Sequence, residues 1–330
     1  MPFKALRVTE TFPGKFERNI ISMDMEELPP GELLVRVLYS SLNYKDALSA
    51  AGNKGITKKY PHTPGIDAAG VVELSRNEAF AVHDEVIITG HDLGMNTCGG
   101  YAEYIRIPAE WALQKPPEFS FAEAMSIGTA GFTAAFALHK MEMMGQKPTD
   151  GPVVVTGSTG GVGSMAVSIL AKAGYEVIAS TGKANAKEYL SYIGAARIEE
   201  RSFVDDQSGK ALLRPQWAGA IDTVGGNTLT TLLKGCRNEG NIVSTGLVSS
   251  PKLDATVYPF ILNGVNLLGI GTAETTFANR QLLWRKLANE WNVKDKFPVI
   301  IKEVSLEELS NTYLDAILEG KIMGRILVKI

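Results

Sequence analysis

With 330 residues the chain is long enough for two domains, each burying its own core. It is 45% hydrophobic and 21% charged, an ordinary globular balance that excludes wholesale disorder. A net charge of −3 leaves no electrostatic footprint for nucleic acid or an acidic membrane surface, and two cysteines, Cys98 and Cys236, exclude a disulfide framework.

Residues 3–8 and 31–39 read as strands; Leu33, Val35, Val37 and Tyr39 of the second share a face. No signal-peptide core precedes the first strand and no run of 18 apolar residues occurs, so the expectation is a cytoplasmic protein with no membrane partner. The chain then reaches Ser40-Ser41-Leu42-Asn43-Tyr44-Lys45-Asp46. Such a polar cluster after a hydrophobic strand either presents functional groups or is a turn that caps a helix. Short strands broken by Gly and Pro follow through residues 60–72 and 84–90 to Gly99-Gly100, suggesting a compact, mostly β first domain closed by Pro116-Pro117. Ser120-Phe121-Ala122-Glu123 matches a capping box and predicts a helix, which contains the small-residue run Gly128-Thr129-Ala130-Gly131.

The most informative stretch runs from Val153-Val154-Val155-Thr156 through Gly157-Ser158-Thr159-Gly160-Gly161-Val162-Gly163 into a helical stripe of Met165, Ala166, Ile169 and Leu170. Strand, tight turn and helix follow one another, and Gly161, Gly163 and Ala166 stand at the G-x-G-x-x-G/A positions of a dinucleotide-binding turn. A pyrophosphate would sit on the outward N–H groups of the helix start. No Gly-Lys-Ser/Thr follows the glycines, so this is not a Walker A loop.

Alternation of strand and helix continues: 183–192 helical and stopped by Gly194, 218–222 strand, 228–236 helical, 241–245 strand, 256–262 helical, 265–270 strand. This pattern predicts an α/β fold with a doubly wound parallel sheet, its ligand crevice at the carboxyl ends of the strands. By pattern alone Ile261 belongs to the core. Ser305 and Glu308 cap a last helix carrying Leu306, Leu309, Tyr313 and Ile317 and stopped by Gly320, and residues 325–330 form a final strand.

Taken together, Asn43-Tyr44-Lys45-Asp46, Pro64-Gly65-Ile66-Asp67, Gly128-Thr129-Ala130-Gly131-Phe132-Thr133, the Gly157-to-Gly163 turn and Gly324-Arg325 resemble the medium-chain dehydrogenase/reductase superfamily over essentially the whole chain. Ser41-Leu42-Asn43-Tyr44-Lys45-Asp46 and Asp222-Thr223-Val224-Gly225-Gly226 look like its acryloyl-coenzyme A reductase branch, often labelled quinone oxidoreductase-like. The resemblance implies a Rossmann domain, residues 125–272, inserted into a β-rich GroES-like catalytic domain formed by 1–124 and 273–330. Where zinc-dependent members carry a cysteine and a Gly-His-Glu turn, this chain has Asn43 and Ile66-Asp67, so a metal-free enzyme is expected.

The second strand ends in Ser180-Thr181-Gly182-Lys183, without the carboxylate that accepts from the ribose hydroxyls of NAD. Hydroxyl and ammonium donors favour a 2′-phosphate, and the resemblance adds Arg201, so NADPH is the expected cofactor. The resemblance further places Tyr44 at the nicotinamide end, Thr129 among the cofactor-binding residues, Gly160, Gly161, Val162 and Gly163 on the pyrophosphate, and Leu247, Ile261 and Thr272 along the nicotinamide side. Expected substrates are an enoyl thioester, an enal or a quinone. Tyr44 is a candidate proton donor or packing residue, Asn43 and Asp46 position its loop, and Arg325 either enters the site or forms a salt bridge. Lys54, Lys58 and Lys59 are candidate partners for coenzyme A phosphates, or simply a solvated run. A homodimer joined through the 265–270 strand edge is expected by resemblance, and an NADPH-binding redox sensor with little turnover is the alternative of another class.

Overall fold

The computed structural model describes residues 2–330. They divide into two compact units: residues 2–129, 272–284 and 301–330 form the first, and 130–271 with 285–300 the second. Residues 285–300, which the sequence-based boundaries leave in the third segment, thus belong to the second unit.

In the first unit a seven-stranded sheet runs in the order Ile301–Ser305, Arg325–Lys329, Leu33–Ser41, Asp67–Ser75, Glu85–Thr89, Leu113–Gln114, with Tyr104–Ile107 also pairing with Leu33–Ser41. The C-terminal strand pairs antiparallel with the end of Leu33–Ser41, Leu327 opposite Ser41, so the last residues of the chain complete a sheet begun by its first segment. A separate hairpin joins Pro2–Phe12 to Lys15–Asp24; sequence reading found only part of its first strand. Leu33, Val35 and Val37 on one face pack with Ala68, Val72, Val86 and Ile88. The polar loop after Leu33–Ser41 becomes a short helix, Tyr44–Ala50, begun by Asn43.

The second unit is a six-stranded parallel sheet in the order Arg197–Glu200, Val177–Thr181, Val153–Thr156, Trp217–Asp222, Cys236–Ser244, Asn266–Gly269. The strand order reverses beside Val153–Thr156, which lies between Val177–Thr181 and Trp217–Asp222. That reversal is where a doubly wound sheet opens its crevice. Val153, Val154 and Val155 are completely buried, as a strand covered on both faces must be. Trp217, also fully buried, donates from its indole N–H to the Leu232 carbonyl at 2.9 Å and packs edge-on against Phe203.

Other elements also differ from the sequence pattern. The helix expected over 228–236 is Gly226–Lys234, and Cys236 already begins a strand. Gly235 ends the helix where a side chain would strike the Trp217 ring. The C-terminal helix contains a π-helical segment, Leu309–Tyr313, between Leu306–Glu308 and Leu314–Leu318. Finally, Ile261 is 68% exposed on the short helix Tyr258–Asn263, not part of the core.

Candidate functional site

In the first unit the polar residues converge on Asp67, the first residue of its strand and completely buried. Its Oδ2 accepts from Ser41 Oγ at 2.6 Å, Asn43 Nδ2 at 2.8 Å and the Thr129 N–H at 2.9 Å. Its Oδ1 accepts from Thr129 Oγ1 at 2.6 Å, and the Arg325 guanidinium lies 3.8 Å away. Arg325 is itself 2% exposed and donates to Ser41 Oγ, the Leu42 carbonyl, Asn43 Oδ1 and the Ser126 carbonyl. Of the two readings of Arg325, the structure gives the buried ion pair.

Thr129 reaches Asp67 because the helix Phe121–Met143 is broken at Gly128, whose φ of 49° and ψ of −158° leave the helical region. A side chain there would collide with Asp67, Arg325 and Ser41 together, so only glycine fits. The break turns the Thr129 N–H from an intrahelical bond onto the carboxylate. Its hydroxyl donates there too and keeps lone pairs for a further donor.

Asp46 forms the second carboxylate of the cluster. It accepts from the Asn43 N–H at 2.8 Å, the Ile66 N–H at 2.8 Å and the Tyr101 hydroxyl at 3.0 Å. These donors favour the charged form, yet burial first and the charge of Asp67 second push its carboxyl up to about 7. Burial, reinforced by Asp46, likewise holds the Tyr101 phenol well above its ordinary value. Asp46 therefore locks the loop to the neighbouring turn as a buried carboxyl group. Tyr44 differs from all of these: it opens the helix Tyr44–Ala50 at 39% exposure. The cluster below fixes its backbone through Asn43 and Asp46, and leaves its ring at the surface.

The donor chemistry does not form a cation cage. Asn43 uses its amide nitrogen on Asp67 and its oxygen on Arg325, and a buried guanidinium holds the position next to both. Among the described residues no three His, Cys, Asp or Glu side chains gather as metal ligands would. Lys54 is also engaged, in an ion pair with Glu10 at 2.7 Å and over the Phe16 and Tyr60 rings. Lys58 and Lys59 are exposed.

In the second unit Gly157 to Gly160 form the turn after Val153–Thr156, and the helix Gly161–Lys172 starts with Gly161, Val162 and Gly163. Its first N–H groups have no intrahelical acceptor and form an anion site of the required kind. Ser180 anchors this turn: its carbonyl accepts from the Ser158 N–H at 3.2 Å and from Ser158 Oγ at 2.9 Å. Its own hydroxyl donates to the Glu200 carbonyl at 3.4 Å. Thr181 Oγ1 accepts from the Lys183 N–H at 3.1 Å, and Arg201 lies directly over Gly182, where a side chain at 182 would meet its guanidinium. Burial and the charge of Arg201 both lower the Lys183 ammonium, the mark of two cations facing one another.

Asp222 ends the fourth strand in sequence order, accepting from Thr156 Oγ1 at 2.6 Å and from the N–H groups of Val224 and Gly225. Beside it a cavity of about 220 Å³ opens between Gly225-Gly226 and Gly246-Leu247, with Ser250 and Lys252 on its wall. Leu247 is 64% exposed at its mouth. The glycine turn, the helix start and the paired cations fit a phosphorylated dinucleotide. Thr272 belongs to the first unit, where its carbonyl accepts from Arg280 at 2.9 Å.

Sequence reading missed Asp67 as a centre, together with Ser41, Tyr101 and Arg280. In the sequence Asp67 shows only as an aspartate behind a Pro-Gly turn, standing where zinc-dependent members carry Gly-His-Glu.

Comparison with known proteins identifies two family matches in the chain. A model of the alcohol dehydrogenase GroES-like domain matches residues 29–117, and one described as zinc-binding dehydrogenase matches residues 161–289. The chain is 42% identical over 312 residues to a Bacillus subtilis protein named putative quinone oxidoreductase YhfP, covering 94% of each. It is 39% identical over 317 residues to acrylyl-CoA reductase AcuI of Ruegeria pomeroyi, covering 96% of each. Among solved structures it is similar to the yhdH oxidoreductase of Salmonella enterica in complex with NADP, with a TM-score of 0.96, 39% identity and 99% of each chain covered. It is equally similar to Bacillus subtilis yhfP with NAD bound, with a TM-score of 0.96, 41% identity and the whole of each chain covered.

Asp46 carries a pH signature. Its carboxyl titrates near 7 in the folded chain and near 4 when unfolded, so the native state holds the extra proton. Stability is then greatest below about pH 4 on this account and declines as pH rises towards and through 7. Urea unfolding between pH 5 and 8 is expected to show a falling midpoint, and Asp46→Asn a flatter profile; an unchanged slope in the variant would assign the pH dependence elsewhere.

Proposed function

We propose that this chain, which belongs to the zinc-independent branch of the medium-chain dehydrogenase/reductase superfamily and is an NADPH-dependent oxidoreductase, reduces the activated double bond of acryloyl-CoA or a related enoyl thioester. The observation that carries the reading is the Asp67 cluster. It spends a buried ion pair and a set of short hydrogen bonds on fixing one loop, and that loop presents one exposed hydroxyl, Tyr44. Reducing a polarised alkene needs little more than alignment and a donor at the oxygen where enolate charge develops.

NADPH, when bound, supplies the hydride. The β-carbon of the thioester receives it and the α-carbon receives a proton, giving the saturated thioester. Tyr44 is the donor this reading assigns to the thioester oxygen or the α-carbon, with Asn43 and Asp46 holding its helix start in place. Thr129, its N–H and hydroxyl committed to Asp67, offers hydroxyl lone pairs to the carboxamide end of the cofactor. Gly160 to Gly163 hold the pyrophosphate on the helix start, and Lys183 and Arg201, with the Thr181 and Ser180 segment behind them, hold the 2′-phosphate. Leu247 and the backbone at Ile261 and Thr272 belong to the nicotinamide side in the same reading. Arg325 holds the same loop in place, through Asp67 and through its own bonds to the Leu42 carbonyl and Asn43 Oδ1.

A quinone is the second acceptor class, favoured by the name of the Bacillus subtilis relative. A homodimer in the cytoplasm completes the proposal. Its support is an exposed apolar surface, Val257, Tyr258, Ile261, Leu262 and Leu267, beside the edge strand Asn266–Gly269.

The acceptor is decided by following NADPH oxidation with acryloyl-CoA, short enals and quinones side by side. The thioester is expected to give the highest kcat/KM; a quinone ahead of it selects the second reading, and no turnover with any acceptor would leave a nucleotide-binding sensor. Tyr44→Phe is expected to lower kcat about 10- to 100-fold while NADPH affinity stays within about 2-fold. Unchanged turnover would reduce Tyr44 to packing. For the cofactor, Lys183→Ala with Arg201→Ala removes two charge-assisted bonds and is expected to raise the KM for NADPH about 100-fold while leaving that for NADH nearly unchanged. Equal effects on both would remove the 2′-phosphate assignment.

A further inference from the structure

Arg280 lies in the first unit, on the helix Phe277–Ala288, and is 4% exposed. One guanidinium nitrogen, Nη1, donates to the Thr89 carbonyl at 2.6 Å and to Thr89 Oγ1 at 3.3 Å. The other, Nη2, donates to the carbonyls of Thr272 at 2.9 Å and Ala273 at 2.7 Å. Thr89 ends the strand Glu85–Thr89, whereas residues 272–276 lie in no helix or strand. Carbonyls in such a segment have no ladder to hold them, and here one planar fork ties two of them to the end of a sheet strand. The contact is tight from the other side as well. The His91 N–H donates to the Ala273 carbonyl at 3.3 Å, and a side chain at Gly90 would come within 3.1 Å of the Ala273 Cα.

We propose that Arg280 is a positioning residue for the cofactor: it fixes the Thr272-Ala273 backbone in the conformation that receives the nicotinamide end, and rests on the reading of Thr272 as a nicotinamide-side residue. The guanidinium geometry is the reason for arginine here. A planar group directs parallel donors at several carbonyls at once, whereas an ammonium concentrates its donors at a point and cannot span the same acceptors. Loss of the fork would loosen the 272–273 backbone without touching the glycine turn or the Lys183–Arg201 pair. The consequence is selective: binding of the nicotinamide half weakens, and binding of the adenosine half does not.

The test compares two ligands on the full chain, NADPH and 2′,5′-ADP, the second lacking nicotinamide. Arg280→Lys is expected to weaken NADPH about 10-fold and to diminish the change in nicotinamide emission on binding, with 2′,5′-ADP held within about 2-fold. Arg280→Gln, which keeps amide donors, carries the same comparison should the lysine variant fail to melt cooperatively. Equal losses for both ligands would make Arg280 a general fold residue, and wild-type affinity for both would remove the clamp; either overturns the proposal. Thr272→Trp separates the two layers of the argument. It is expected to weaken NADPH alone. If it acts while both Arg280 variants bind like wild type, only the clamp falls; if it is silent, the reading of Thr272 falls and takes the clamp with it.

Discussion

The first unit depends on one buried pair of opposite charges, Asp67 and Arg325, 3.8 Å apart with side chains almost wholly removed from solvent. Taking either ion out of water alone costs several kcal/mol, of order 3–5 when a partner is removed from an existing pair. Such a pair is tolerated only where the remaining hydrogen-bonding capacity is filled. Asp67 is filled by Ser41, Asn43 and Thr129, and Arg325 by Ser41, Asn43 and the carbonyls of Leu42 and Ser126. Four segments far apart in the chain are thereby forced into one place. The value of the arrangement lies less in stability than in specificity of position, since the loop carrying Tyr44 can adopt few other conformations without leaving a charge unpaired.

The same low-dielectric surroundings explain why neighbouring carboxylates differ in character. Asp67 faces a cation; Asp46 faces Asp67 and a phenol, and burial together with the Asp67 charge raises its carboxyl to about 7. Asp46 and Tyr101 pin the helix start from below. The exposed Tyr44 hydroxyl therefore rides on a rigid base, the condition under which a single donor can be aligned with a reacting atom.

Much of the second unit was legible in the sequence, because a parallel strand covered on both faces must be continuously apolar and a phosphate turn must be glycine-rich. Val153-Val154-Val155 and the Gly157-to-Gly163 turn carry both signatures in adjacent residues. The Asp67 cluster carries neither. Its members are separated by long stretches of chain, and an aspartate that accepts four donors looks the same in sequence as one that faces water. Asn43, Tyr44 and Asp46 entered as a polar loop that either presents functional groups or caps a helix, and their separate roles, like that of Arg325, came from resemblance. Ile261 misled for a related reason: periodicity counts an apolar residue as core without knowing that the helix beneath it, Tyr258–Asn263, flanks a sheet edge. The π-helical segment Leu309–Tyr313 was invisible because an inserted residue leaves the spacing of Leu306, Leu309 and Tyr313 compatible with an ordinary helix.

Gly182 adds a constraint of a different kind. The Arg201 guanidinium occupies the volume that any β-carbon at 182 would claim. A missing methyl thus decides where this guanidinium can rest, and enlarging position 182 would displace the cation without mutating it.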